Sequence, residues 1–127
     1  MQNLVLIAGC FLGMFAIILG AFGAHALKKS FTTDQLNSFE TGVKYQMYHA
    51  LLLLIMGFNL SFINNLHQWA GGLIIIGVCF FSFSIYGLTF FGSKGKNVRF
   101  LGPVTPIGGL LLVIGWLLLL ISFMNFA

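Results

Sequence analysis

Charge is what this sequence has least of. Only 6% of its 127 residues are Asp, Glu, Lys or Arg, against about 25% in an ordinary soluble domain, and just two of them are acidic. A chain that is 59% hydrophobic and so poor in charge cannot clothe itself in polar surface. Water is thereby excluded as its solvent, and a bilayer remains. Six basic residues with no cluster alternating with aromatics exclude a nucleic-acid face. Two cysteines, Cys10 and Cys79, both lie in apolar runs, are too few for a disulfide framework, and read as small buried hydrophobes. No zinc-ligand spacing, nucleotide-binding glycine fingerprint or nucleophile elbow occurs, so no catalytic residue, metal or cofactor is expected.

What the sequence does hold is four apolar runs: Leu4 to Leu27, Tyr45 to Ile63, Trp69 to Gly92 and Pro103 to Met124. Each is about long enough for a helical crossing, which needs roughly 20 apolar residues. In lipid every backbone N–H and C=O must be paired within its segment or in a closed barrel, and the runs lack the strict alternation of barrel strands. The expected fold is therefore an all-α membrane protein, one domain over residues 1–127, with four transmembrane helices in an antiparallel bundle.

The connections refine this. "NNLHQ" between the second and third runs predicts a tight hairpin. In "KKSFTTDQLNSFETGVK", Thr32 and Gln35 have the spacing of a capping box, flanked by Phe31 and Leu36 as a staple, so a helix should begin near Thr33. Leu36, Phe39, Val43, Met47 and Ala50 then form one apolar stripe, predicting an amphipathic cytoplasmic extension continuous with the second crossing. The alternative is a short surface helix and a kink at Gly42.

Lys28, Lys29, Lys44, Lys94, Lys96 and Arg99 all fall in the first and third connections, and none in "NNLHQ" or the tails. The positive-inside tendency places those two connections in the cytoplasm and both termini outside, with Trp69 at the outer interface. "IAGC" and "AHA" imitate lipidation and cleavage signals, but no basic residue precedes the first run, which exceeds the roughly 7–15 residues of a signal core. Neither process is expected.

Helix pairing in lipid relies on close approach through small residues. Gly9, Gly13, Ala16, Gly20 and Ala24 share one side of the first run; Gly108, Gly115 and Ser122 repeat every seven in the fourth, as do Gly77 and Ser84 in the third. These are read as a packing seam in preference to a moving or substrate-lined one.

The chemically capable side chains are expected at the cytoplasmic mouth: His25, Glu40, Lys44, Tyr45, Gln46, His49, Tyr86 and Thr105 as a candidate binding cluster. Glu40 and Lys44 have i,i+4 spacing, and a solvated pair there is worth only about 0.3–0.5 kcal/mol. An ionisable group within a span, such as His49, is by default a functional candidate; Tyr45 and His25 are its expected partners, and a neutral imidazole tying two helices is the structural alternative. Cys79, Ser82 and Tyr86 share a face of the third run. Thr105 as a cap with Pro106 in the first turn would leave free N–H groups at the opening of the fourth helix. Lys28, Lys29, Lys94, Lys96 and Arg99 are candidate anion or lipid-headgroup contacts.

Three phrases, "LGAFGAHALKK", "FETGVKYQMYHAL" and "GPVTPIGGLLLVIGW", occur in order across most of the chain. Together they resemble the domain of unknown function 423 family, small bacterial integral membrane proteins related to the transmembrane protein 256 group. The connection "SKGKNVRFLGPVTP" is longer and more basic than that pattern. The resemblance implies a four-helix protein of the bacterial cytoplasmic membrane and carries no activity with it. The leading expectation is a non-enzymatic bundle, a homo-oligomer or accessory subunit of another membrane protein, binding an anionic lipid or small amphiphile at its cytoplasmic mouth. The alternatives are a minimal proton-linked transporter or channel using His25, Glu40 and His49, and a membrane enzyme or haem protein with His25 and His49 as axial ligands. Against transport, the outer half lacks charge and no broken helix sits at the midplane.

Overall fold

Residues 1–124 are described by a computed structural model, and helix accounts for nearly all of them. Helix α1 runs Gln2–His25 and ends in a 3₁₀ turn, Leu27–Lys29. α2 is Thr33–Asn59. α3, Asn65–Val78, passes through a π turn at Cys79–Phe83 into α4, Ser84–Ser93, giving one continuous rod. α5 is Val104–Met124.

Local chemistry sets these boundaries. The Thr32 hydroxyl accepts from the Gln35 backbone N–H at 3.2 Å while Gln35 Oε1 accepts from the Thr32 N–H at 3.0 Å, so the predicted capping box starts α2 where its spacing said it should. The helix then runs unbroken through Gly42. A Cβ there would lie 2.8 Å from a ring carbon of Tyr86, so Gly42 serves close approach and not a kink. The hairpin lies earlier than "NNLHQ", at residues 60–64. Asn64 Oδ1 accepts from the Leu66 N–H at 2.9 Å, and the side chains of His67 and Gln68 turn back to the carbonyls of Ser61 and Phe62. Those polar residues thus form the cap and first turn of α3, completing the hydrogen bonds of the hairpin.

The rods alternate in direction. Gln2 bonds the carbonyl of Gly57, Gly9 abuts Leu54 and Ala50, Gly20 abuts Val43 and Gly23 abuts Phe39, so α1 and α2 are antiparallel along their full length. Gly115 against Ile74, Gly77 against Leu112 and Gly108 against Phe81 give the same relation for α5 and the α3–α4 rod. The two pairs join along α2 and α3–α4, around the fully buried Leu53, Met56, Ile74 and Val78.

Three stretches, Gln2–Lys29, Asn65–Ser93 and Arg99–Met124, are long and apolar enough to cross a membrane. The chain is an all-α membrane protein. α2, which carries the expected second run Tyr45 to Ile63, is not among these three stretches, because Glu40, Lys44, Gln46 and His49 lower the mean hydropathy of the whole helix. Its polar groups are sorted by face: Gln46 and His49 are buried, whereas Tyr48, Leu51, Ile55 and Phe58 are 52–75% exposed. Glu40 and Lys44, nearer the start of the helix, are exposed, so the inward polar face and outward apolar face belong to the later part of α2.

Small residues make the contacts expected of them, unequally. A Cβ on Gly9 would sit 2.9 Å from Leu54 Cγ, on Gly115 2.7 Å from Ile74 Cγ1, and on Gly108 it would strike the backbone nitrogen of Phe81 in the π turn. Ala16 is 1% exposed, and Gly20 has ordinary room at 3.4 Å from Val43. Gly13 is the loose member, its nearest neighbour being Ala50 Cβ at 3.7 Å. Cys10 is likewise corrected: it is exposed on the outside of α1, and only Cys79 is partly buried. Gly108→Ala should therefore lower stability by about 1–3 kcal/mol through overpacking against backbone, while Gly13→Ala should be neutral or slightly stabilising. Thermal unfolding of both variants in one detergent checks this, and equal midpoints would contradict the packing.

Candidate functional site

At the middle of the 24-residue α1, the carbonyl of Leu12 accepts a 2.7 Å hydrogen bond from Gln46 Nε2. The Gln46 side chain is 0% exposed, and its Oε1 accepts from the Tyr86 hydroxyl at 2.8 Å. One amide therefore ties α1, α2 and α4. A turn away, Ser82 Oγ in the π turn donates to the Gly42 carbonyl at 2.8 Å, so the predicted common face of Ser82 and Tyr86 is the face that meets α2.

His49 is held by two bonds that fix its tautomer. Trp116 Nε1–H, from the middle of α5, points at His49 Nε2 at 3.2 Å, and an indole N–H can only donate. Nε2 must then be the bare acceptor, and Nδ1 carries the proton, donating to the Tyr45 carbonyl at 2.7 Å. Both ring nitrogens are satisfied in the neutral form. A proton on Nε2 would set two donors against each other.

The expected mouth cluster thus divides by depth. Gln46, His49 and Tyr86 come together near mid-depth, with the Tyr45 backbone; the Tyr45 side chain is 43% exposed and packs against Phe81. His25 closes α1 and is exposed. Because His49 is level with Leu12 and Gly13 on α1, His25 lies about a dozen residues deeper toward the basic end, roughly 18 Å at about 1.5 Å per residue. Two axial ligands must face one another across one iron, and these two do not. Glu40 and Lys44 form an exposed pair at 3.9 Å, apart from the central tie.

Thr105 is not a cap. It lies within the first turn of α5, and its hydroxyl shares a 2.7 Å bond with Ser84 Oγ, which also donates to the Phe81 carbonyl at 3.0 Å. The basic connections all gather at the end opposite the hairpin. Lys94 Nζ rests 4.2 Å from the Phe90 ring centroid and Lys96 5.8 Å from that of Phe91, so neither needs the helix opening as a partner.

Two concavities open at this basic end. One, of about 380 Å³, lies between the start of α2 and the α4–α5 pair, with Asp34, Gln35, Ser38, Thr41, Thr89 and Thr105 above Ile85 and Leu88. The other, of about 450 Å³, is bounded by Leu88, Gly92, Gly95, Lys96, Asn97, Val98 and Arg99. Leu88 is common to both. Sequence reasoning missed Asp34, Ser38, Thr89 and Trp116, and read Ser84 only as part of a packing repeat. Asp34 read as part of a helix start, and Trp116 sits alone among leucines, with nothing local to show that its indole would reach His49.

Comparison with known sequences now bears on this arrangement. The model of a protein family of unknown function, DUF423, matches residues 19–109, the stretch from the second half of α1 to the first turns of α5. The chain belongs to the DUF423 family. It is similar to UPF0382 membrane proteins from Staphylococcus: 41% identical over 126 residues to that of S. aureus, and 42% identical over 125 residues to that of S. haemolyticus, covering 98–99% of each chain. A relative in S. epidermidis is also 41% identical over 126 residues. No solved structure matches. The DUF423 match encloses Gln46, His49, Ser82, Tyr86 and both concavities, but stops short of Trp116.

Tyr86→Phe removes one donor and leaves Gln46 Oε1 buried. A cost near 1 kcal/mol is expected, bonds of this kind in membranes averaging about 0.6 kcal/mol and reaching about 1.7 kcal/mol. Combined with Gln46→Leu in a double-mutant cycle, it should show a coupling of similar size. Strict additivity of the two would mean that the hydroxyl and the amide do not meet.

Proposed function

We propose that this DUF423 protein is a non-enzymatic, four-crossing bundle of the bacterial plasma membrane whose cytoplasmic end holds the phosphate of a membrane lipid, with both termini outside. The supporting observation is the groove in which Lys96 and Arg99 flank the apolar Leu88. Such a groove offers cations to a phosphate and hydrocarbon to what lies beneath it. The exposed ring of Phe91 lies beneath Lys96, and exposed Phe100 follows Arg99 in sequence.

The antiparallel pairing of α1 with α2 supports the fourth crossing, because a rod paired along its length with a spanning helix shares its depth. Six basic residues at one end and none at the other support the orientation. A site at the basic end also agrees with the closed, hydrogen-bonded state of the central polar groups.

Native mass spectrometry of gently extracted protein with added phosphatidylglycerol tests the reading. Lys96→Ala combined with Arg99→Ala should cut lipid retention several-fold, each lost cation near the phosphate being worth about 1 kcal/mol. His49→Ala should leave retention unchanged, since that ring lies near mid-depth. Retention insensitive to the double substitution would refute the lipid site. A loss confined to His49→Ala would favour the proton-linked channel.

A further inference from the structure

The cleft next to the basic groove has an unusual balance of donors and acceptors. The Thr41 hydroxyl donates to the Asn37 carbonyl at 2.9 Å, and the Thr89 hydroxyl donates to the Ile85 carbonyl at 2.9 Å. Both protons are committed to the helix, so the two oxygens can offer a ligand only lone pairs. Asp34 adds an ionised carboxylate, and among the described residues no cation pairs with it. Donors are present too, in the Ser38 hydroxyl and in the amide N–H groups of Gln35, whose Oε1 is taken by Thr32, so the balance is set by Asp34, which gives the cleft one negative charge. A phosphate would be repelled there, whereas a primary ammonium, with three donors and a positive charge, matches it.

The neighbouring groove has the opposite character. Lys96 and Arg99 line it, and Leu88 forms a wall of both concavities. Gln35, on the cleft side, comes within 3.8 Å of where a Cβ on Gly92 would lie, and Gly92 belongs to the groove. A positive and a negative subsite therefore abut. Asp34, at the start of α2, is nearly level with the end of α4 by the antiparallel pairing of Gly42 with Tyr86. Thr89 lies about one turn further along the same wall, and Thr41 about two.

We infer that the two concavities form one site for a phospholipid carrying both a phosphate and a primary amine, of the phosphatidylethanolamine class, with the phosphate at Lys96 and Arg99 and the ammonium at Asp34. The inference rests on the phosphate-binding reading of the basic groove and adds the identity of the headgroup. Trimethylation of the amine keeps its charge but removes all three N–H donors, so phosphatidylcholine is the discriminating comparison.

Retention of phosphatidylethanolamine, phosphatidylcholine and phosphatidylglycerol with matched chains is measured by native mass spectrometry on the full-length protein. The unmodified chain should hold phosphatidylethanolamine about fivefold better than phosphatidylcholine, the scale of one partly exposed ionic hydrogen bond. Asp34→Asn should abolish that preference and leave phosphatidylglycerol retention unreduced. Thr89→Val, which keeps the side-chain shape, should weaken the preference in the same direction. Lys96→Ala with Arg99→Ala should reduce all three lipids. An unmodified protein that does not distinguish the two amines, or a preference that survives Asp34→Asn, overturns the amine subsite while the phosphate reading stands. If the double substitution changes nothing, both readings fall.

Discussion

The rest of the structure depends on a side-chain amide placed where no water reaches it. In a bilayer interior a polar group left unpaired costs several kcal/mol, so a glutamine there is tolerated only if protein atoms satisfy it. Gln46 meets that requirement by donating to a backbone carbonyl of α1 and accepting from the Tyr86 hydroxyl of α4. Either bond alone would leave half the amide stranded. The three helices are therefore fixed in rotation about their own axes, because only one orientation of α2 points Gln46 at both partners. His49 extends the constraint to α5, whose indole N–H selects the tautomer that also serves the Tyr45 carbonyl. A chain with few polar groups has spent several of them on setting orientation, something that hydrophobicity cannot do between helices in lipid.

Close backbone approach supplies the remaining precision. The π turn places Phe81 against Gly108, where no side chain could intervene, and Ser82 in the same turn reaches the Gly42 carbonyl. A π turn inserts extra backbone into an α-helix and rotates the residues beyond it. Here it lets one rod present Ile74 and Gly77 to α5 above, and Ser82 and Tyr86 to α2 below. Small residues and the irregular turn are two halves of one arrangement. Gly108 has its tight contact because of the turn, and the turn is covered because Gly108 has no side chain.

Much of this is legible in the chain before folding, and the part that is not has a physical reason. Thr32 and Gln35 announce the start of α2 because a capping box is a local interaction, written within four residues. The seven-residue glycine spacing in α5 announces a face, but not which glycine is tight; Gly13 and Gly9 look alike until α2 is docked and only Gly9 meets Leu54. Gln46 and His49 are recognisable as out of place in a span. Their depth is hidden because the uncharged run begins at Tyr45, whereas α2 has already been helical for twelve residues from Thr33 to Lys44. Partners remote in sequence, such as Trp116 for His49 and Leu12 for Gln46, leave no local signature. Cys10 and Cys79 show the same limit, since an apolar run is compatible with facing either lipid or protein.

Depth also explains why the two ends of the molecule invite different chemistry. At the centre Gln46, His49 and Tyr86 are each bonded to another helix or to the helix backbone, leaving little to offer a ligand without dismantling the packing. At the hairpin end, Asn64, His67 and Gln68 are turned onto loop backbone and are similarly occupied. At the basic end Asp34, Lys96 and Arg99 line open volume, while the Thr41 and Thr89 hydroxyls have committed their protons and kept their lone pairs. A 27-residue helix is about 40 Å long, more than the roughly 30 Å of a bilayer's hydrocarbon, and Asp34 sits in the first turn of α2 at that end. The surplus length of α2 is what carries Asp34 out beside the end of α4. Without that overhang the acidic and basic groups would not share a wall.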